Sequence, residues 1–178
     1  MSNNYKLDFD HAFKILILGD PAVGKSSLVQ RFVHGKFQAQ YLMTIGMEPY
    51  SKYETIGGVK VCYAIWDIAG ADSFKIMHRI YFQGAVGSIV VFDLTRRETF
   101  DNVDDWVQNA RASAPNQLIT LFGNKTDLED RQITKEEALE KTKQLNCINY
   151  VETSALTGDN VNLAYNFLGS KLLDRYAT

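Results

Sequence analysis

The chain has little of what would staple a small protein from outside. Its 178 residues include only two cysteines, Cys62 and Cys147, far apart and with no CxxC pair. Buried reduced thiols are expected rather than a disulfide framework, in keeping with a cytoplasmic setting. No apolar run approaches the length of a membrane span, and the N-terminus lacks a basic-then-apolar leader pattern. The closing "KLLDRYAT" has no terminal cysteine of the kind prenylation needs, so a peripheral membrane association is not encoded in this tail, and both readings, no lipid there or a longer natural tail, stay open. A net charge of −2 gives no reason to expect nonspecific nucleic-acid binding. Internal repeats, low-complexity tracts and linkers are also missing.

What is there suits one domain with a real core: 46% apolar and 22% charged residues. Residues 1–11 read as a polar lead and 12–178 as the domain. "FKILILG", Phe13–Gly19, has the look of a buried strand, and the following loop runs into a helix that Gly35 can close. Gly57-Gly58 is a two-residue hairpin turn. In its second arm Val59, Val61, Tyr63 and Ile65 share one face, and Lys60, Cys62, Ala64 and Trp66 the other. "GSIVVFDLT", "LITLFGNK" and "INYVETSA" read as further strands. Thr95-x-x-Glu98 and Thr134-x-x-Glu137 read as capping boxes opening helices. Phe100, Val103, Val107 and Ala110 stripe one helix, and Val161, Ala164, Tyr165 and Leu168 the last. This alternation predicts an α/β fold with a mostly parallel six-stranded sheet, one antiparallel hairpin strand and helices on both faces. Sites in such sheets lie beyond the carboxyl ends of the strands, where the polar motifs fall.

"GDPAVGKS", Gly19–Ser26, matches G-x-x-x-x-G-K-[ST] between a strand and a helix. Gly24 lets the backbone curl so that Asp20, Pro21, Ala22, Val23, Gly24, Lys25, Ser26 and Ser27 surround the phosphates, with backbone N–H groups pointing inward at their oxygens. Lys25 supplies a charge to the β and γ phosphates, and the Ser26 hydroxyl suits Mg²⁺. "NKTD", Asn124–Asp127, follows a strand. The Asp127 carboxylate can accept two parallel hydrogen bonds from guanine N1–H and the 2-amino group, a donor pair adenine lacks. Asn124 can tie the loop together, the Lys125 stem can lie along the purine, and Leu128 adjoins it. In "TSAL", the Ala155 N–H can reach guanine O6, with Ser154 bracing the turn beside Leu156.

GDPAVGKS, the "TIG" of Thr44–Gly46, WDIAG, NKTD and TSA stand in order along nearly the whole chain. On these motifs the chain resembles a Ras-superfamily small GTPase, and "YFQGAVGSIVVFDLT" resembles the Rab branch. The resemblance implies a switch that binds GTP or GDP with Mg²⁺, hydrolyses GTP, and works in membrane trafficking or signalling, at the cytoplasmic face of membranes or free in the cytoplasm. It implies that Phe37 packs on guanine, Tyr41 covers the phosphates, Thr44 binds Mg²⁺ and the γ-phosphate, Asp67 holds Mg²⁺ through water, and the Gly70 N–H contacts the γ-phosphate. It further implies a monomer served by exchange factors, GTPase-activating proteins and effectors. Trp66 and Tyr81 resemble the aromatic patch that Rab proteins offer to effectors. The usual third aromatic is replaced by Pro49, with Tyr50 a candidate substitute.

The residue after Gly70 is Ala71, where the superfamily usually has the glutamine that steers water. A methyl group cannot orient water, so slow turnover is expected. Asp72, Ser73 or a partner's side chain could take its place, and both origins of Ala71, natural or introduced to hold the triphosphate form, stay open. A binding scaffold locked with GTP is the alternative. A P-loop kinase would also carry the cradle but would not need NKTD or TSA.

Overall fold

The computed structural model describes residues 8–37, 44–70 and 80–177. In chain order these form β1 (His11–Leu18), α1 (Lys25–His34), β2 (Met47–Ile56), β3 (Val59–Ile68), β4 (Gly87–Asp93), α2 (Arg97–Asp101), α3 (Val103–Ser113), β5 (Leu118–Asn124), α4 (Lys135–Gln144), β6 (Asn149–Thr153) and α5 (Val161–Tyr176). The six-stranded sheet has the order β2-β3-β1-β4-β5-β6, antiparallel only between β2 and β3. The predicted fold class is the one observed.

The chain leaves β1 to build β3 on one side and returns to place β4 on the other. The turn after β1, which carries GDPAVGKS, therefore opens at the point where strand order reverses, the usual place for a site in such a sheet. The hairpin brings a further loop to the same edge. Gly57 and Gly58 turn at φ of 57° and 87°, conformations that suit glycine, and the register sets Met47 opposite Ile68. Thr44–Gly46, just ahead of β2, thus meets the end of β3, and the Ala69 N–H donates to the Gly46 carbonyl at 2.9 Å.

Both sheet faces are covered, so the inner strands are apolar on both sides. Phe13, Ile15 and Ile17 of β1 point to a core shared with Leu28, Val29 and Phe32 of α1 and with Ala164, Tyr165, Leu168 and Leu172 of α5. Leu16 and Leu18 point the other way, to Phe100 of α2, Val103, Val107 and Ala110 of α3, and Ala138 of α4. Phe32 stacks on Tyr165 with centroids 4.0 Å apart, which clamps α1 to α5. Among the described residues, no helix is long and apolar enough to cross a membrane. Cys62 is buried and Cys147 partly so, and both are free thiols.

Two local expectations need correction. Thr134 and Glu137 do form a reciprocal capping box at α4, but Thr95 and Glu98 do not form one. Thr95 instead donates both its N–H and its hydroxyl to Asp93, at 2.9 and 2.7 Å, so the hydroxyl is already committed, and Arg96 takes the N-cap position. The stripe Phe100 to Ala110 is also not one helix. It breaks at Asn102, whose N–H is shared between the Glu98 and Phe100 carbonyls.

One glycine records how closely α5 approaches the sheet. A Cβ on Gly169 would lie 1.8 Å from the Tyr63 hydroxyl oxygen. Gly169→Ala is expected to destabilise the fold by about 1–3 kcal/mol, as overpacking does. Adding Tyr63→Phe should recover part of that loss, as read from urea midpoints.

Candidate functional site

At the carboxyl edge of the sheet, five turns converge, after β1, β3, β4, β5 and β6. The first is the phosphate-binding turn. Gly24 sits at φ 100°, and a Cβ there would meet the Asn124 side-chain nitrogen at 2.3 Å. The position excludes other residues both by conformation and by space. Lys25 is only 6% exposed, and its ammonium donates to the Gly19 and Asp20 carbonyls, at 2.8 Å each. Burial lowers its pKa to about 8, against the opposing pull of Asp67 and Asp20. Ala22 completes the curl at φ 62°, a left-handed conformation unusual for a residue with a Cβ. Val23 is buried, and Ser26 and Ser27 open α1.

The Asp20 carboxylate faces away from this cradle. It accepts hydrogen bonds from the Asn102 amide and the Trp106 indole, both at 2.8 Å, and so moors the turn to the α2–α3 junction. The broken helix thus gains a reason: the break presents Asn102 to the turn.

A second group collects beside Lys25. The Ser26 and Thr44 hydroxyl oxygens are 2.9 Å apart, Ser26 donates to the Asp67 carboxylate, and Thr44 lies 3.4 Å from the same oxygen. Asp67 is fully buried, and its other carboxylate oxygen has no hydrogen-bond partner. Burial pushes the Asp67 carboxyl above its ordinary range, with Ser26 and Lys25 pulling the other way. A buried carboxylate oxygen left unpaired is costly. Two hydroxyls and one carboxylate form a hard oxygen set that fits Mg²⁺, which usually takes one or two carboxylates and completes its shell with water and phosphate. Gly70 closes this corner. A Cβ on it would lie 2.6 Å from the backbone of Gly19, Asp20 and Pro21, so this glycine lies directly on the cradle.

The third group is the pair of turns after β5 and β6. Asn124, 1% exposed, donates to the Val23 carbonyl at 2.8 Å and accepts from the Thr153 hydroxyl and the Ala155 N–H, both at 3.3 Å. One amide therefore ties both turns to the phosphate cradle. Ser154 is fully buried; its hydroxyl donates to the Asp127 carboxylate and accepts from the Thr157 N–H. Asp127 is held in place but remains exposed, and Leu128 and Leu156 flank the turns as exposed apolar residues. Phe37, just past α1, is 37% exposed. Tyr41, Ala71, Asp72 and Ser73 lie outside the described residues.

Sequence reasoning missed three residues here. Arg31 of α1 donates to the carbonyls of Ala155 at 2.9 Å and of Leu156, bracing the last turn from beneath. Asp93, 1% exposed at the end of β4, accepts from Lys125 at 2.6 Å and from Arg96 at 3.2 Å. The Lys125 ammonium is thereby anchored, its backbone held at φ 73°. Arg96 also donates to the Pro21 carbonyl at 2.8 Å. An acidic residue ending a buried strand was the available signal for Asp93. Nothing local marks Arg31 or Arg96, whose contacts with the site turns, at Ala155, Leu156 and Pro21, are distant in sequence.

Trp66 and Tyr81 do meet, with ring centroids 6.1 Å apart, and the Lys14 ammonium sits 3.6 Å over the indole. Both aromatics are partly exposed. Tyr50 cannot join them. It pairs with Ile65 on β3, whereas Pro49 pairs with Trp66, so alternation turns Tyr50 to the opposite face, against the α1–α5 core and His34.

A glycine-lined cradle on a helix N-terminus, with an oxygen-only corner and a carboxylate-bearing turn, defines a nucleotide-binding P-loop protein. The protein-family model described as the Ras family matches residues 14–174, and the chain belongs to that family. It is a GTP-binding small GTPase switch; the family hydrolyses GTP, typically binds Mg²⁺ with the guanine nucleotide, and interacts with effectors, exchange factors and GTPase-activating proteins.

Asp93 supports a check on this architecture. Burial pushes its carboxyl up, but the bonds from Lys125 and Thr95 outweigh burial and hold it below the ordinary range. A carboxyl depressed on folding stabilises the fold above its unfolded value, and that contribution is lost as pH falls through the folded value. Asp93→Asn should cost about 1–3 kcal/mol near neutrality. The gap in urea midpoint between parent and variant should close as pH drops below about 4.

Proposed function

We propose that the chain is a Rab-like switch that turns GTP over slowly, and that its output is effector docking in membrane trafficking or signalling. The observation that carries the guanine assignment is the Asn124 amide. It locks the turn bearing Asp127 to the cradle at Val23, so base and phosphates would be read by one rigid pocket. With Ser154 holding one side of the carboxylate, Asp127 remains placed to accept the guanine N1–H and 2-amino donors. Ala155 offers O6 its N–H on exchanging Asn124 for the base, and the Phe37 ring and Lys125 stem would cover the purine faces.

Residues 20–27 would wrap the phosphates, with the Lys25 ammonium exchanging two neutral carbonyls for phosphate oxygens, a stronger charge-assisted pairing. Ser26 and Thr44 would ligate Mg²⁺, and the unpaired oxygen of Asp67 would take one of its waters. When bound, the ion screens the negative charge of the phosphates. The N–H groups of Thr44 and Gly70 would hold the γ-phosphate, and their loops would relax once it leaves. Because positioning and electrostatics supply nearly all the catalysis, Ala71 leaves attacking water poorly steered. Trp66 and Tyr81, stiffened by Lys14, would form the effector-facing patch without a third aromatic from β2. We further propose that the polar lead ends near residue 11, where β1 begins.

Denaturing the purified protein and separating released nucleotide by chromatography should yield GTP or GDP, and equal competition by ATP would overturn the assignment. Asp127→Asn should weaken GDP binding by about 10- to 100-fold, the worth of a charged hydrogen bond. In single-turnover hydrolysis, Ala71→Gln should raise the rate by about 10- to 100-fold. An unchanged rate would remove the role assigned to Ala71, and GTP persisting for days in the parent would favour the locked scaffold.

A further inference from the structure

We propose that Arg96 is a further catalytic residue, a guanidinium supplied from within the chain to the γ-phosphate end of the cradle. The inference rests on the hydrolytic reading above. The Gly70 backbone lies directly on the Asp20–Pro21 peptide, and with the Gly70 N–H assigned to the γ-phosphate under the proposed function, that stretch is the γ-phosphate end of the cradle. The Arg96 guanidinium is bound there, donating from Nη2 to the Pro21 carbonyl at 2.8 Å. Its Nε donates at 3.2 Å to Asp93, the same carboxylate oxygen that Lys125 engages at 2.6 Å. The stem of the arginine is therefore fixed at the end of β4 while its fork reaches across to the phosphate turn.

A guanidinium has five N–H donors. Two are used in these bonds, and Nη1 approaches Glu98 only at 3.6 Å, beyond hydrogen-bond distance. The side chain is 35% exposed, so an incoming phosphate can reach it. The group is also close enough to Lys25 for its charge to help lower that ammonium's pKa. Exchanging a neutral carbonyl for an anionic phosphate oxygen adds ion-pair attraction to the bond, in a geometry the guanidinium fork matches. The Pro21 carbonyl thus serves as a resting partner that the γ-phosphate displaces.

In hydrolysis, the water oxygen bonds to the γ-phosphorus and the bridging oxygen departs on GDP with its electron pair. The water's protons end on phosphate and solvent. Arg96 forms no covalent bond; it stabilises charge spread over the γ and bridging oxygens. Phosphoryl transfer gains strongly from an arginine placed this way, whether supplied in cis or by a partner. In this chain such a group works without the glutamine that Ala71 replaces.

The test compares the parent chain with Arg96→Ala and Arg96→Lys in single-turnover GTP hydrolysis, GDP affinity, and formation of a complex with GDP and aluminium fluoride in the absence of any partner. Arg96→Ala should slow hydrolysis by about tenfold or more and abolish the aluminium fluoride complex, with GDP affinity changed less than about threefold. Arg96→Lys keeps the charge but not the fork, and should restore only part of the rate. Equal rates in parent and Arg96→Ala would overturn the proposal. So would matched losses of GDP and GTP affinity with an unchanged rate, the mark of a residue that only braces Pro21. A parent chain that binds no GTP would instead defeat the hydrolytic reading itself.

Discussion

A buried amide has to find partners for its donors and acceptor, and at Asn124 that requirement organises the whole carboxyl edge of the sheet. Its nitrogen is satisfied by Val23 of the phosphate turn, and its oxygen by Thr153 and Ala155 of the turn after β6. Three loops far apart in sequence are thereby set at fixed separation. The approach is close enough that Gly24 can carry no side chain. Recognition of base and of phosphate cannot be adjusted independently in such a pocket, which suits a protein that must hold one nucleotide through two phosphorylation states.

A second, charged network parallels the first. Asp93 ends β4 with a buried carboxylate shared by Lys125 and Arg96, so the cation of the base-reading turn and a cation that reaches over to the phosphate turn answer to one anion. Asp20 extends this outward, receiving Asn102 and Trp106 from the α2–α3 junction. The outer wall of the cradle is thus anchored to helices on one face of the sheet, while α1 and Arg31 anchor the last turn from the other. Among the described residues that line this edge, the corner formed by Ser26, Thr44 and Asp67 leaves a polar requirement open, at one oxygen of Asp67.

Much of this was legible beforehand because the signals are local. Strand runs apolar on both sides, a Gly-Gly turn, and the Thr134–Glu137 cap each depend on neighbours in sequence. Where local pattern and structure differ, the residues of the pattern are engaged by other partners. Thr95 has the spacing of a cap, yet Asp93 claims its hydroxyl. Tyr50 lies next in sequence to the position of the missing aromatic, yet pairing with Ile65 turns it to the other face. The stripe from Phe100 to Ala110 kept its buried residues but was split so that Asn102 could reach Asp20. The phosphate turn, the oxygen corner, the base-reading turn and Asn124 are legible as sequence motifs, whereas Arg31, Asp93 and Arg96, which also join the turns, are not.

The amino-acid sequence by itself determined the α/β class, the order of elements and the chemistry of each turn, because those follow from period, glycine placement and the donors that phosphate and guanine demand. It also determined that position 71 brings no polar group. Only the tertiary structure decided that Arg31, Asp93 and Arg96 belong to the site, and which way Asp20 and Tyr50 face. The reason is physical: hydrogen bonds and ion pairs are short-ranged and directional, so contacts spanning 75 residues between Arg96 and Pro21, or 124 between Arg31 and Ala155, come into being only when the sheet brings the turns together.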